Sequence, residues 1–276
     1  MKKLMTLILA GIMAMSIAGC GGTEGTVDEN GTAEVTSTES DWEYVSDKGE
    51  MVIGMTLFAP MNYKEGDELV GFETEFAEAV CEKIGITPTF QEIDWNSKEI
   101  ELDSKNIDCI WNGMTITPEL QENMSVTMPY MTNKQVMITK AENAGKYAES
   151  VDGASVVAEN GSAGNELITT DEFFANANCT PVDSQAKALM DVEAGTSDIA
   201  VVDYVLSIGS IGEGTEYDDL VVIESREFGE EQYGAAFRKG SDITEKVNAA
   251  MQELAADGTL NEIAAKYKLD KMLIVE

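Results

Sequence analysis

Short apolar runs separated by polar segments recur along the chain from about residue 51 onward. Many of their side chains are β-branched, and Gly, Asp, Asn or Ser bounds most of them, which is typical of buried strands. The pattern predicts strands at 51–55, 89–93, 107–111, 135–139, 154–158, 198–202, 220–223 and 233–237.

Helical periodicity appears between several of these runs. Phe72, Phe76, Val80 and Ile84 repeat every four residues, and Gly85 then provides a helix stop. Similar patterns run over 186–194, 243–257 and 260–267. Helices that alternate with nearly continuous apolar strands predict an α/β fold with mostly parallel sheets.

The N-terminus has a different pattern, with two lysines followed by an apolar run from Leu4 to Ala18. This is a secretory signal pattern, with a transmembrane anchor as the alternative. The end of the run, Ile17-Ala18-Gly19-Cys20, resembles a bacterial lipobox, which implies that the Cys20 thiol carries a diacylglyceryl group. We therefore expect a signal peptide over 1–19 and a protein anchored by lipid to the outer face of the cytoplasmic membrane.

Residues 20–48 are rich in Gly, Thr, Ser and Glu and contain few aliphatic side chains. Such a segment buries too little apolar surface to offset its ordering entropy. We predict a lipidated, flexible tether here.

Charge and residue types exclude several classes of function. The chain has a net charge of −33 at pH 7, which argues against nucleic acid and anionic lipid surfaces as partners. It has no histidine, so the usual general base and the commonest metal ligand are missing. Cys81, Cys109 and Cys179 are odd in number and show no metal-ligand spacing, and the first two suit buried apolar positions. We predict no metal and no cofactor.

Several quoted segments together carry a family resemblance. They are GMTLFAPMNYKEGDELVGFETEFAEAVCEKIGI, NIDCIWNGMTITPEL with MPYMTNKQVMI, SVVAENGSAGNELI, SDIAVVDYVLS and EQYGAAFRKGSDITEKVNAAMQELAADGTLNEIAAKY. In this order they resemble the bacterial amino-acid-binding proteins of ABC importers, the extracellular solute-binding protein family 3. The resemblance covers roughly residues 49–270, and several segments matching in order are far more specific than any one alone.

The resemblance implies a type II periplasmic-binding-protein fold, in which two α/β lobes with mostly parallel sheets are joined by two crossing hinge strands. Lobe 1 would comprise 49–136 plus 232–276, and lobe 2 would comprise 137–231. A solute would bind in the cleft between the lobes, which close around it by a hinge motion.

The segment NGMTITPEL supplies the first candidate ligand-binding residues. Gly113 allows a ligand to approach the backbone, and Thr115 offers a hydroxyl on the same face. In the family this segment holds the α-amino and carboxylate groups of the ligand. Asn112 is a neighbouring candidate through its side-chain amide, and a plain strand followed by a turn is the alternative.

The second predicted lobe contributes two further features. Asp203 ends the strand DIAVVD, and in the family this carboxylate pairs with the ligand ammonium; a helix N-cap is the alternative role. Ser162 and Ala163 precede a helical pattern, and N–H groups at a helix N-terminus bind anions, so we place a ligand carboxylate near them.

Phe58 and Trp95 match family positions where aromatic side chains flank the ligand, with core packing as the alternative. Glu231 and Gln232, next to the second crossing, are weaker candidates for side-chain specificity.

Leu120 departs from the family pattern. The residue here is usually an arginine, whose planar guanidinium holds the ligand α-carboxylate by two charge-assisted bonds. Three alternatives stay open. The 162–163 N–H groups hold the carboxylate, Arg226 swings in as a substitute, or the ligand has no free α-carboxylate.

We therefore predict a monomeric, membrane-anchored receptor, not an enzyme, that captures a small polar solute and delivers it to an ABC permease. The solute is an amino acid or a related amine. The alternatives are an enzyme on the same fold, of the dehydratase kind, and a ligand-free interaction or sensor protein.

Overall fold

The computed structural model describes residues 40–275, which form two main β-sheets with helices packed against them. The predicted signal peptide, Cys20 and most of the predicted tether lie outside the described residues. Among the residues described, no helix is both long and apolar enough to cross a bilayer.

Thirteen strands are present in the described chain. In chain order they are β1 (Glu50–Met55), β2 (Tyr63–Glu65), β3 (Glu68–Val70), β4 (Thr87–Glu92), β5 (Cys109–Ile110), β6 (Met124–Val126), β7 (Met131–Lys140), β8 (Ser155–Glu159), β9 (Asn178–Val182), β10 (Ile199–Asp203), β11 (Leu220–Val222), β12 (Glu230–Tyr233) and β13 (Ala236–Arg238).

Nine α-helices accompany them in the same part of the chain. They are α1 (Asp41–Lys48), α2 (Phe72–Ile84), α3 (Lys98–Asp103), α4 (Pro118–Asn123), α5 (Ala163–Thr170), α6 (Gln185–Glu193), α7 (Tyr204–Ser210), α8 (Ile243–Ala256) and α9 (Thr259–Lys266). Short 3₁₀ turns lie at Trp95–Ser97, Ala141–Asn143, Glu172–Phe174 and Asp270–Met272.

The first sheet has the strand order β4-β1-β5-β13-β6 and the second has the order β11-β7-β10-β8-β9. Two antiparallel strands connect them. β12 pairs with the first half of β7, with Glu230 opposite Lys134 and Tyr233 opposite Met131. The chain thus leaves the first sheet along β7 and returns to it along β12.

The prediction of mostly parallel sheets is wrong, because both sheets are mixed. β1 pairs in parallel with β4 and β5, and β8 pairs in parallel with β9 and β10. β6 and β13, and likewise β7 and β11, join these parallel cores in antiparallel fashion. The antiparallel strands are those adjoining the two connections, where the chain enters a sheet in the reverse direction.

The predicted run over 233–237 is two strands. β12 ends at Tyr233 and β13 starts at Ala236. Gly234 lies between the two strands, where an added Cβ would lie 2.9 Å from the Ile116 side chain, so close packing favours a glycine at this point.

The helical periodicities correspond to buried faces. Phe72, Phe76 and Val80 of α2 are fully buried, as are Val247 and Met251 of α8. Cys81 on α2 and Cys109 on β5 are fully buried as free thiols, which confirms their predicted apolar positions.

The predicted flexible tether does not extend to residue 48, because residues 41–48 form the helix α1. Ser40 caps this helix, and its hydroxyl donates to Asp242 at 2.6 Å. Arg238 forms an ion pair with Asp41 at 2.7 Å, and Val45 is fully buried. The composition of the segment did not indicate these long-range contacts, which repay its ordering entropy.

Candidate functional site

A cavity of about 250 Å³ lies where loops that follow strands of both sheets meet. Residues of the segments 95–99 and 112–120 line it on the side of the first sheet. On the side of the second sheet the lining residues are Glu159, Gly161, Ser162, Ala163, Glu166, Gln185 and Asp203. This is the edge of α/β sheets at which ligands bind. Eight of the nine predicted ligand-binding residues line this cleft: Trp95, Asn112, Gly113, Thr115, Leu120, Ser162, Ala163 and Asp203.

Phe58 is the predicted residue that does not line the cleft. It is 2% exposed and packs beneath Gly113, where an added Cβ would lie 2.6 Å from its ring. This position favours the core-packing alternative for Phe58, and its role beside a ligand stays a prediction. Gly113 also has a positive φ of 57°, so glycine is required here by both conformation and close packing.

A buried carboxylate holds Gly113 in place. The Gly113 N–H donates to both oxygens of Glu73 at 2.9 Å, and the hydroxyl of Tyr130 donates to the same carboxylate. Glu73 is fully buried, and burial raises its pKa to about 7 although both hydrogen bonds oppose the rise.

The amide of Asn112 is fully occupied inside the protein. Its Oδ1 accepts from the N–H and hydroxyl of Thr56, at 2.9 and 2.8 Å, and its Nδ2 donates to the Thr56 carbonyl and to Asn62. No hydrogen-bonding capacity is left for a solute. A ligand contact through this amide therefore stays a prediction without support in this arrangement, in which Asn112 fixes the neighbouring loop.

Thr115 and Leu120 lie on the same wall. Thr115 is half-buried and bridges to Tyr233 of β12. Leu120 lies on α4, whose N-cap Thr117 accepts from the Leu120 N–H at 3.2 Å. The side chain of Leu120 packs partly against an apolar cluster that includes Trp95 and Met114. An apolar surface therefore occupies the place where the family pattern has an arginine.

Neither arginine of the chain lines the cleft. Arg226 is exposed, pairs with Asp171 at 3.1 Å and stacks over Phe173. Arg238 pairs with Asp41 and Asp108. The alternative in which Arg226 substitutes for the missing arginine has no support in this arrangement.

Trp95 and Lys98 form another part of the wall. Trp95 is 6% exposed, and the Lys98 Nζ lies 5.0 Å from its ring centroid. The same Nζ donates to the carbonyls of Gly161 at 3.0 Å and Trp95 at 3.4 Å. Burial lowers the pKa of Lys98.

The turn at 160–163 leads into α5. Ser162 is the N-cap, and its hydroxyl accepts from Asn165 N–H at 3.1 Å, while its own N–H donates to the Glu159 carbonyl at 3.1 Å. Its N–H is therefore engaged in the turn. Ala163 is the first residue of the helix, where an N–H lacks an intrahelical partner.

Asp203 sits at the centre of an amide network. Its Oδ1 accepts from Asn133 at 2.6 Å and from Gln135 at 2.7 Å, and its Oδ2 accepts from Gln185. It occupies the N-cap position of α7 but its side chain makes no capping bond. Burial raises its pKa, and the bonds from Gln185 and Gln135 oppose that rise.

Glu231 lies behind Asp203 on the returning strand β12. It accepts from the same Asn133 and Gln135 amides, so these two amides bridge the two carboxylates. Burial, followed by the charge of Asp203, raises the pKa of Glu231 to about 7. Glu231 does not line the cleft, and its predicted role in specificity stays a prediction.

Glu159, which we did not predict, also lines the cleft. It is 3% exposed, and its Oε1 has no hydrogen-bond partner among the described residues. Burial, reinforced by the charge of Asp203, raises its pKa to about 8, with Lys98 opposing the rise. A charged residue at the end of the apolar run SVVAE was the available sequence signal, the same one that identified Asp203.

The lining is strongly acidic. Its titratable side chains are one base, Lys98, and five acids, Glu99, Glu119, Glu159, Glu166 and Asp203. Such a wall attracts cations and disfavours anionic groups without a specific partner. No group of three or more metal-ligating side chains occurs in the described range 40–275.

Comparisons with known proteins agree with this geometry. The sequence profile of the bacterial extracellular solute-binding proteins, family 3, matches residues 51–270. The arginine-binding extracellular protein ArtP of Bacillus subtilis (strain 168) is 25% identical over 273 residues, 97% of this chain and 98% of its own. The L-cystine-binding protein TcyJ of Escherichia coli (strain K12) is 27% identical over 233 residues, 81% of this chain and 84% of its own.

A solved structure of a solute-binding protein is also similar to this chain. An ABC uptake transporter substrate binding protein from Streptococcus pneumoniae, with bound histidine, has a TM-score of 0.73 and 30% identity, covering 84% of this chain and 97% of that one. Two sheets joined by paired strands, with a cleft between their loops, define a two-lobe solute-binding protein of the type II periplasmic class. The chain belongs to the bacterial extracellular solute-binding proteins, family 3.

Proposed function

We propose that this protein is an extracytoplasmic receptor that captures a small solute bearing an ammonium group in its cleft and delivers it to an ABC permease. The solute is an amino acid or a related amine. Asp203 carries the proposal, because three side-chain amides orient its carboxylate and no lysine or arginine in the described range forms an ion pair with it. A buried carboxylate in this state is stabilised by a cation from the ligand.

The names of the relatives support the same class of solute. They bind arginine, cystine and histidine, which share an α-ammonium group. These relatives are binding proteins, and we propose no enzymatic activity for this chain.

A thermal-shift screen of amino acids, amines and short peptides tests the proposal, because a ligand that binds the folded state raises the melting temperature. Asp203→Asn should weaken binding of any hit by about a hundredfold, since the ligand ammonium loses its counter-charge. Asp183→Asn, at an exposed residue outside the cleft, removes the same charge and should leave affinity unchanged. The absence of any stabilising compound in the panel would contradict the receptor function.

We also propose that a diacylglyceryl group on Cys20 anchors a monomeric receptor to the outer face of the cytoplasmic membrane. The lipobox-like segment 17–20 after an apolar run supports this anchoring. Cys20→Ser should abolish incorporation of a radiolabelled fatty acid and release the protein from the membrane fraction, whereas Cys179→Ser should do neither. Retention of the label in Cys20→Ser would show that this thiol is not the lipid attachment site.

A further inference from the structure

Glu159 and Asp203 project from adjacent strands at one edge of the second sheet. β8 ends at Glu159 and β10 ends at Asp203, and the two strands are parallel neighbours, with Val157 opposite Ala200. Both residues line the cleft. The two carboxylates therefore lie at the same edge of the sheet, which faces the cleft.

The two carboxylates differ in how the protein satisfies them. Asp203 accepts from three amides, while Oε1 of Glu159 is buried without any partner in the described range. A buried, unpartnered carboxylate oxygen costs free energy in the ligand-free protein. Its presence on the cleft wall indicates a partner supplied from the cleft.

No lysine or arginine side chain of the described residues forms an ion pair with Glu159. Lys98, the basic residue of the lining, forms no ion pair with Glu159, and its Nζ donates to two backbone carbonyls instead. Both arginines are engaged elsewhere. A cationic group that pairs with Glu159 would therefore come from the solute.

Resting on the proposed function, we infer that Glu159 and Asp203 act together as a two-carboxylate site that selects solutes with two cationic nitrogens. Asp203 takes the first ammonium and Glu159 takes the second, so the ligand is a diamine or a diamino acid. The acidic remainder of the lining and the apolar Leu120 fit such a solute, since neither demands a ligand anion. A cavity of about 250 Å³ suits a molecule of this size.

Matched ligand pairs test the inference by calorimetric titration of the purified protein. L-lysine and L-norleucine differ by the terminal ammonium, as putrescine and butylamine do. The protein should prefer the dicationic member of each pair by about thirtyfold or more, because a buried charge pair is made with one member only. Glu159→Gln keeps the side-chain shape and should remove this preference while monocationic ligands still bind.

Glu193→Gln is the matched control. Glu193 is a glutamate of the same half of the molecule, also carries an oxygen without a partner, and lies outside the cleft. It should keep the full preference for L-lysine, which separates a local pairing from a change in overall charge.

Proton release gives a second measurement that needs no variant. The pKa of Glu159 near 8 leaves it mostly protonated at pH 7, and pairing with an ammonium ionises it. Titrations in two buffers of different ionisation enthalpy should show L-lysine releasing up to about one proton more than L-norleucine. The difference between the two ligands cancels the response of the other titratable groups to the shared α-amino and carboxylate groups. These groups, which face Glu159 or line the cleft, are Asp94, Glu99, Glu119, Glu166, Asp203 and Lys98.

The outcomes separate the two proposals. Three results would overturn the two-carboxylate site and leave the receptor function intact. They are equal affinity for L-lysine and L-norleucine, equal proton release by these two ligands, and an undiminished preference for L-lysine in Glu159→Gln. Binding of other amino acids with no binding of L-lysine or putrescine does the same. Failure of every amine and amino acid to bind overturns both.

Discussion

Lys98 Nζ donates a 3.0 Å hydrogen bond to the carbonyl of Gly161, joining the wall of the cleft that follows the first sheet to the wall that follows the second. The backbones also meet at this point. Gly161 has a φ of 72°, and an added Cβ would lie 2.9 Å from the Cα of Asn96. The two loops are therefore in direct contact across the cleft, with glycine as the residue that permits it.

Lys98→Met should open the cleft and weaken ligand binding by about tenfold, because a charge-assisted hydrogen bond of about 1.5 kcal/mol or more is lost. Small-angle scattering of the ligand-bound variant should show a larger radius of gyration than that of the ligand-bound wild type. Lys64→Met, at an exposed position outside the cleft, serves as the control. Unchanged affinity in Lys98→Met would show that the bond to Gly161 does not stabilise the closed form.

Gly161→Ala should reduce affinity through the same contact. The new methyl group would collide with Asn96, and a non-glycine residue is strained at this φ, at a combined cost on the order of 1–3 kcal/mol. Gly153→Ala is the matched control. Gly153 has a similar φ of 74°, but no atom lies within 4 Å of an added Cβ, so this variant has the backbone strain without the collision. It should lower thermal stability slightly without changing affinity, and equal affinity losses in both variants would refute the role of the Asn96 contact.

Leu120→Arg should improve binding of ligands with a free α-carboxylate relative to those without one. The guanidinium would restore two charge-assisted bonds at a cleft-lining position that is apolar here. The ratio of affinities for L-lysine and cadaverine, measured by calorimetry, should rise by about tenfold or more. Leu120→Met controls for changes of packing, and an unaltered ratio in Leu120→Arg would place the ligand carboxylate elsewhere.

The ligand-free protein should be most stable at mildly acidic pH. The pKa values of Glu73 and Glu231 are raised from 4.5 to about 7, and that of Glu159 to about 8. Because the folded protein holds these protons more tightly than the unfolded chain, their stabilising contribution is full below pH 4.5 and is lost as the pH rises through 7 to 8.

Scanning calorimetry should therefore show a melting temperature that falls between about pH 5 and about pH 8, with Glu73 contributing on the order of 3 kcal/mol. Glu73→Gln should flatten this dependence, whereas Glu142→Gln at an exposed site should retain it. A melting temperature that rises over this range would contradict the assignment of these carboxyl groups as proton carriers.

Regularities of local sequence predicted much of the fold. The repeat of Phe72, Phe76 and Val80 predicted the buried face of α2, and Gly85 takes a left-handed C-cap as its position suggested. Asp203 at the end of an apolar strand predicted a carboxylate in the cleft, because the carboxyl ends of such strands meet at one edge. Glu159 carried the same signal at the end of β8.

Contacts between residues distant in sequence decided the remainder. Asn112 looks like a ligand amide in sequence, but Thr56 and Asn62 occupy all of its hydrogen bonds. Phe58 looks like a ligand-flanking aromatic in sequence, but its ring packs beneath Gly113. Residues 41–48 become a helix through Asp242 and Arg238, about 200 positions away, which no local composition reveals.

The sequence by itself determined the family, the main buried strands and helices, the acidic balance and the replacement of the usual arginine by Leu120. These are properties of local pattern and residue type. Only the tertiary structure decided which polar side chains remain available to a solute, since hydrogen-bond capacity is consumed by whatever folding brings alongside. It leaves Glu159 with an oxygen unpaired and Asn112 with none, because Asn112 meets Thr56 and Asn62 while Glu159 faces the cleft.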